Sequence, residues 1–264
     1  MKNLKEKNVW ITGASSGIGE ALAFAFAKEG AFLVLSARNK DKLEEVQKRC
    51  LEYTAKCRVL PVDLSHTEGL EKVVGSVMEQ TGRIDILVNN AGRSQRSWAK
   101  ETPIEIDRDI MELNFFSVIT LTKLVLIHML KTGSGHLVVI SSITGKFGFP
   151  MRTAYSASKH ALQGYFEALR AELVNDNIPV TIILPGRINT NISKNALTAD
   201  GQSYNRMDEG QARGMPVDKC AALIVKAIKK NKKEVLVGQK ELLMVYIRRF
   251  FPALFYKIVP KIKN

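Results

Sequence analysis

The stretch Asn8-Val9-Trp10-Ile11-Thr12-Gly13-Ala14-Ser15-Ser16-Gly17-Ile18-Gly19 decides how the chain is read. A short run rich in β-branched residues, Asn8 to Thr12, passes straight into a glycine turn. From Gly17 the apolar spacing becomes helical, to about residue 29. Glycines let backbone N–H groups close on a pyrophosphate, and the helix N-terminus adds a partial positive charge that faces the anion. Three glycines alone are a weak sign; their place after the first strand of a strand–helix series gives them weight. The spacing Gly-x-x-x-Gly-x-Gly departs from the Gly-x-Gly-x-x-Gly fingerprint. No Lys-Ser/Thr pair follows it, which argues against a P-loop ATPase.

Outward from this turn, short apolar runs alternate with segments of helical period. The runs are Asn8–Thr12, Phe32–Ser36, Arg58–Val62, Ile84–Asn89, His136–Ser142, Val180–Leu184 and Glu234–Val237. Helical stretches lie between them at about 17–29, 40–53, 67–81, 103–131, 153–176 and 217–230. Seven strands alternating with helices predict an α/β fold with a parallel sheet covered on both faces. Thr102-Pro103-Ile104-Glu105 reads as an N-cap, a proline at the first helical position and a capping-box carboxylate. Pro185-Gly186 ends the sixth strand. The polar stretch from Arg187 to Pro216 lacks periodicity; it reads as a functional loop over a site or as a surface excursion.

Composition narrows the classes. At 264 residues, 45% apolar and 25% charged, the chain has material for one large core. Cys50, Cys57 and Cys220 form no C-x-x-C pair, and four scattered histidines suggest no metal site. A disulfide scaffold and a zinc ribbon are thereby excluded, and a reducing, cytoplasmic setting is expected. Met1 to Lys7 alternates charge and lacks the apolar run of a signal peptide. The net charge of +13 is uneven: residues 226–264 carry eleven basic against two acidic side chains, while the remainder carries 28 against 24. Basicity grafted on one end does not describe a nucleic-acid-binding surface.

The end of the second strand bears on cofactor choice. A carboxylate there favours the ribose 2′-hydroxyl of NAD, and a cation favours the 2′-phosphate of NADP. The segment Leu35-Ser36-Ala37-Arg38-Asn39 holds an arginine and no acid, so NADP(H) is expected, with Arg38 on the phosphate. A charge-assisted bond of this kind is worth about 1.5–3 kcal/mol.

Tyr155 and Lys159 are four apart in a helical segment and share a face. Ser142 closes the fifth strand at its carboxyl end, where open α/β sheets place ligands. Asn114 stands in a helix interior, where asparagine has poor propensity. Together these four make a proton-delivery set: Tyr155 as acid/base, its pKa lowered from about 10 by the Lys159 cation, Ser142 on the carbonyl oxygen, and Asn114 holding a water. Tyr165 and His160 read as packing and structural helix residues.

Thr12-Gly13-x-x-x-Gly17-x-Gly19, Asp63, Asn89-Asn90-Ala91-Gly92, Asn114, Ser142, Tyr155-x-x-x-Lys159 and Pro185-Gly186 resemble the short-chain dehydrogenase/reductase family over residues 5–240. The resemblance implies a single-domain Rossmann fold, doubly wound, with a seven-stranded sheet in the order 3-2-1-4-5-6-7. It implies cofactor contacts along Gly13, Ser15, Ser16, Gly17, Ile18 and Gly19, with Asp63 and Leu64 by the adenine. Asn90, Ala91 and Gly92 would follow the cofactor, Tyr155 and Lys159 would touch it, and Pro185, Gly186, Ile188 and Thr190 would lie at the nicotinamide end. Homo-oligomers, dimers or tetramers built on helices 103–131 and 153–176, are implied as well. Arg187 departs from the small or apolar residue of many members and leaves the polarity of the substrate pocket open. More narrowly, Tyr155 to Leu162, Asn195 to Met207 and the basic tail resemble the member 7B subfamily. Those reductases are membrane-attached and linked to lipid ketones; their N-terminal anchor is not expected here, and a lipophilic substrate is.

Residues 241–264 combine Leu242, Phe250, Phe251, Leu254 and Phe255 with Arg248, Arg249, Lys257, Lys261 and Lys263. Two central arginines and Pro252 argue against a transmembrane helix. Two readings stand: an interfacial segment on anionic lipid, or a tail that packs on protein. The expectation is therefore an NADP(H)-dependent oxidoreductase interconverting a carbonyl and a secondary alcohol on residues 1–240, with a substrate loop near 187–216. A 3-oxoacyl thioester is one alternative substrate, and an NADP(H)-binding sensor that docks through its tail is the alternative function.

Overall fold

The computed structural model describes residues 3–262; Met1, Lys2 and the expected tail cation Lys263 lie outside them. In chain order the elements are β1 (Asn8–Thr12), α1 (Gly17–Lys28), β2 (Phe32–Ala37), α2 (Lys40–Cys50), β3 (Cys57–Pro61), α3 (Leu70–Thr81), β4 (Ile86–Asn89) and α4 (Ile104–Met111). Then follow α5 (Ser117–Thr132), β5 (Leu137–Ile140), α6 (Thr153–Glu172), β6 (Val180–Pro185), α7 (Glu209–Ala212), α8 (Val217–Lys229), β7 (Glu234–Val237), α9 (Leu243–Phe250) and α10 (Pro252–Ile258). The strands form one parallel sheet in the order β3-β2-β1-β4-β5-β6-β7. This is the expected doubly wound Rossmann architecture in a single domain, with its strand order.

Side chains alternate across the strands and supply two cores. Val9 and Ile11 of β1, Ile86 and Val88 of β4 and Ile183 of β6 meet Leu22 and Phe26 of α1, Leu43 of α2 and Ile224 of α8 on one face. Trp10, Leu87 and Ile182, one residue out of phase, meet Val74 of α3, Leu121 and Val125 of α5 and Phe166 of α6 on the other. That period of two explains why the central strands read as continuous apolar runs. The Trp10 indole N–H, buried in the second core, donates to Ser36 Oγ at 2.8 Å.

Two local expectations need correction. The helix expected over 103–131 is three pieces, since a π-helical turn at Glu112–Phe116 joins α4 to α5. Asn114 lies in that turn, whose wider spacing is common at functional sites. The capping box also does not form: Pro103 occupies the N-cap, and Thr102 Oγ1 donates to Trp98 O at 2.8 Å and shares a hydrogen bond with Ser97 Oγ at 2.7 Å. The span Ile104–Thr132 is long and apolar enough to cross a membrane by composition. Here its Val118, Leu121, Val125 and Met129 are buried against the sheet.

Arg187–Pro216 is neither a structureless loop nor a regular element. It holds α7, pairs within itself at Ile188↔Met215 and Leu197↔Ser203, and pairs outward at Gln95↔Leu197. The tail folds back as α9 and α10, broken at Pro252. Phe255 is buried edge-to-face against Phe147 at 5.4 Å.

His136, fully buried at the start of β5, approaches Thr181 Oγ1 at 2.8 Å through Nε2, and Thr181 donates onward to Lys232 O at 2.6 Å. Burial pushes its pKa down to about 4. The folded state therefore binds fewer protons than the unfolded one between pH 4 and 6.5, and stability falls as pH drops through that window, by a few kcal/mol at most. His136→Phe should flatten the acid arm of a Tm-against-pH profile between those values. An unchanged arm would assign acid sensitivity elsewhere.

Candidate active site

At the carboxyl ends of β1 and β4 the backbone is drawn together by side chains. Thr12 Oγ1 accepts from the N–H groups of Asn90 and Ala91 at 3.0 and 3.1 Å. The Asn90 side-chain amide donates to Thr12 O at 2.9 Å and Gly13 O at 3.2 Å. The turn they hold needs glycine at two places: Gly13 and Gly17 have φ of +64° and +58°, and a Cβ on Gly13 would lie 2.9 Å from Ala91 Cα. Gly19 differs from the other two. It is buried, a Cβ there would collide with Gly13 O, and it permits α1 to sit close behind the turn.

The turn opens into a cavity of about 1340 Å³ that runs across the carboxyl edge of the sheet. Gly13, Ser15, Ser16, Gly17 and Ile18 form one end, with Arg38, Asp63 and Leu64 beside them. Asn90, Ala91 and Gly92 line the middle. Ser142, Tyr155, Lys159, Pro185, Gly186, Ile188 and Thr190 line the other end. Of the residues singled out in the sequence, Gly19 and Asn114 stand behind the wall.

The cradle suits a dinucleotide phosphate. Positive φ at Gly13 and Gly17 shapes a glycine-lined concavity at the start of α1, and Arg38, Lys42 and Arg93 bring cations to the adenine end. Burial pushes the Asp63 carboxyl up, but hydrogen bonds from Ser65 and the charge of Arg38 outweigh it, holding the group below the usual carboxylate range. Arg93, half buried, is pushed down by burial and by Arg38. Lys42 was not singled out in the sequence; helical register from Asn39, whose side chain caps α2 through Lys42 N at 2.9 Å, could have located it.

At the far end Tyr155 and Lys159 sit one turn apart on α6, both buried. Lys159 Nζ donates to Ile140 O at 2.9 Å and lies 5.8 Å from the centre of the Tyr155 ring. Burial pushes this ammonium down to about 8. Ser142 Oγ donates to Pro185 O at 3.5 Å and accepts from Thr144 N at 3.2 Å. The buried Thr144 hydroxyl faces Tyr155 and favours its ionised form.

The electrostatics revise the sequence reading. Lys159 was expected to acidify Tyr155, yet burial pushes the phenol above its ordinary value of 10.0. What pulls it back is the Ser142 hydroxyl and the charges of Arg96 and Arg152. Desolvation disfavours phenolate, and Lys159 is itself desolvated with its ammonium turned to a carbonyl. Asn114 Oδ1 accepts from Arg93 N at 2.8 Å, and its Nδ2 donates to Arg93 O at 2.9 Å and Ser158 Oγ at 3.0 Å. This amide ties the segment after β4 to α6.

The sequence placed Gln95 in a stretch, Arg93–Trp98, expected to line the pocket, but its capping role escaped notice. Its Oε1 accepts from Ala154 N at 2.9 Å and Tyr155 N at 3.4 Å, capping α6 from outside the helix. Arg152 and Asp208 were likewise missed, because they are 56 residues apart and meet only in the folded chain. His160 is exposed and binds its own helix through Ser156 O at 2.8 Å, as a structural residue would. Tyr165 packs edge-to-face on Phe115 and Phe166.

A glycine turn at the first crossover and a Tyr-x-x-x-Lys helix facing a strand-end serine define an oxidoreductase of the short-chain class. Residues 7–201 match the family model described as short chain dehydrogenase, and the chain belongs to that family. It is 46% identical over 98% of its length to a dehydrogenase/reductase SDR family protein 7-like from Anopheles gambiae, covering 84% of that protein. It is 42% identical over 95% of its length to dehydrogenase/reductase SDR family member 7B of Xenopus laevis, covering 80% of it. A crystal structure of a short-chain dehydrogenase from Streptomyces avermitilis superposes with a TM-score of 0.82 at 29% identity, over 96% of both chains. Solved structures of this fold hold NADP in one case and NAD in another, so the fold leaves the choice of dinucleotide to local residues.

Proposed function

We propose that the protein is an NADP(H)-dependent oxidoreductase that interconverts a carbonyl and a secondary alcohol on a lipophilic substrate. The observation that carries this reading is the buried Tyr155, standing with Ser142 and Lys159 on a wall continuous with the Gly13–Gly17 cradle. When bound, the dinucleotide would exchange hydride with the carbonyl carbon. Tyr155, protonated at neutral pH, would give its phenolic proton to the carbonyl oxygen in the reducing direction. The Ser142 hydroxyl would hold that oxygen as charge develops on it. Lys159 would hold the ribose next to the nicotinamide. Asn114 and Gln95 would act as positioning residues, the first through Arg93 and Ser158, the second on the N-terminus of α6.

Arg38 favours NADP(H), supported by Lys42 and Arg93 at the same end of the cavity. Phe147, Phe149, Ile192 and Met244 supply apolar lining at the substrate end and favour a lipophilic ligand. Beside that end, residues 243–261 expose Leu243, Tyr246, Phe250, Phe251, Leu254 and Tyr256 among Arg248, Arg249, Lys257 and Lys261. We infer that this face rests on anionic lipid, where each basic side chain contributes about 1 kcal/mol, and that substrate reaches the cavity from the bilayer surface. Phe116, Ile127 and Leu130, exposed along the π turn and α5, favour a homo-oligomer, which light scattering would refute by giving a monomer mass.

Wild-type protein should oxidise NADPH in the presence of a lipophilic ketone, and Tyr155→Phe should lose at least a thousandfold in kcat while still binding NADPH. Tight NADPH binding with no turnover on any ketone would favour a sensor instead. Arg38→Asp should reverse the NADP-over-NAD preference by about ten- to a hundredfold in KM; an unchanged ratio would remove Arg38 from the phosphate site. The full chain should sediment with phosphatidylserine vesicles, and an Arg248→Glu, Arg249→Glu double variant should not. No sedimentation of the wild type would leave the tail a packing element.

A further inference from the structure

Arg96, Arg152 and Asp208 come from three distant parts of the chain: the segment after β4, the residue before α6 and the residue before α7. Their side chains are 3%, 10% and 6% exposed. Arg96 reaches Asp208 Oδ2 through Nε at 3.0 Å and Nη2 at 2.5 Å, and Arg152 Nη2 reaches the same oxygen at 3.1 Å. Two guanidiniums thus converge on one carboxylate oxygen. Arg96 Nη1 also donates to Ser94 Oγ at 2.8 Å and Gln95 O at 2.6 Å, so its fork is held rigidly. The Arg152 guanidinium lies over the Phe149 ring at 4.6 Å and donates to Pro150 O at 3.2 Å.

All three residues line the cavity that Tyr155 faces. Burial a guanidinium shares with a second cation is costly unless enough negative charge accompanies it. Burial, Arg96 and Arg187 together push Arg152 down to about 10, with Asp208 as the carboxylate opposing them. A strap that served only to pin the 187–216 segment needs one arginine for its one carboxylate. Two arginines in a cavity wall, close enough for both charges to act on Tyr155, fit a ligand that brings its own negative group. Planar guanidiniums match the paired oxygens of a carboxylate or phosphate.

We propose that Arg96 and Arg152 form a subsite for an anionic group, a carboxylate or phosphate monoester, carried by the carbonyl substrate, and that Asp208 occupies this subsite until the substrate's own anion displaces it. This deepens the oxidoreductase reading and rests on it for the location of the reacting carbon. The ligand becomes an amphiphile, with its charged end on the arginines and its apolar part along Phe147, Phe149 and Met244. Displacement of Asp208 would also release the 187–216 segment from the start of α6, linking substrate charge to the position of that segment.

The test compares three ligands on the full chain saturated with NADPH: a medium-chain oxo fatty acid, its methyl ester and the corresponding oxoalkyl phosphate. Calorimetry reads binding and NADPH absorbance reads kcat/KM. At least one charged member should exceed the ester tenfold or more in both, and which one does so separates carboxylate from phosphate. Arg152→Gln should remove that preference, with Arg152→Lys restoring part of it. Asp208→Asn should raise the charged-to-neutral ratio, because it removes the competing carboxylate; a merely structural strap would lose thermal stability without moving that ratio. Should Arg152→Gln fail to fold, the Asp208→Asn ratio decides alone. Equal handling of charged and neutral ligands, unaltered by Asp208→Asn, would overturn the subsite while leaving the reductase standing. Charge-selective binding without turnover would do the reverse.

Discussion

Asn90 reaches across the carboxyl edge of the sheet to the carbonyls of Thr12 and Gly13, and Thr12 returns the contact by accepting the backbone N–H groups of Asn90 and Ala91. This exchange closes the gap between β1 and β4, the place where crossovers change direction in a doubly wound sheet. Everything at the site depends on the clasp. It holds the glycine turn open, and it sets the course of the chain into Gly92 and Arg93, which Asn114 then ties to α6. A side chain at Gly92 would sit 3.0 Å from Asn114 Oδ1, so backbone and amide are fitted to one another.

The far end of the cavity is governed by desolvation. Tyr155 and Lys159 are both buried, and burial moves their pKa values toward the neutral forms: the phenol up, the ammonium down to about 8. A phenol so placed keeps its proton at neutral pH, which suits donation to a carbonyl oxygen. The charges of Arg96 and Arg152 oppose this trend at Tyr155, and Asp208 moderates them in turn. The charge balance around Tyr155 is thus set by side chains from outside its own helix turn.

Much of the architecture was legible because it follows local periods. Continuous apolar runs mark strands buried on both faces, and the glycine turn after the first of them marks the crossover. The strand bounds at Asn8–Thr12 and Glu234–Val237 coincide with the observed ones. The errors fell where geometry departs from the regular period. The π turn at Asn114 inserts an extra residue that no apolar spacing signals, and Pro103 took the N-cap expected of Thr102 because the threonine hydroxyl found partners in the preceding loop.

The Tyr155-to-Lys159 pairing and the cation after the second strand were determined by the sequence alone, because each depends on residues adjacent along one element; strand order followed from the family resemblance that the motifs carry. The environment of those groups was decided by tertiary structure. Gln95 caps a helix that begins 58 residues later, Arg96 meets a carboxylate 112 positions away, and Phe255 of the tail seats on Phe147. Burial and charge at a site are sums over neighbours in space, and a linear period carries no record of which distant loops will supply them.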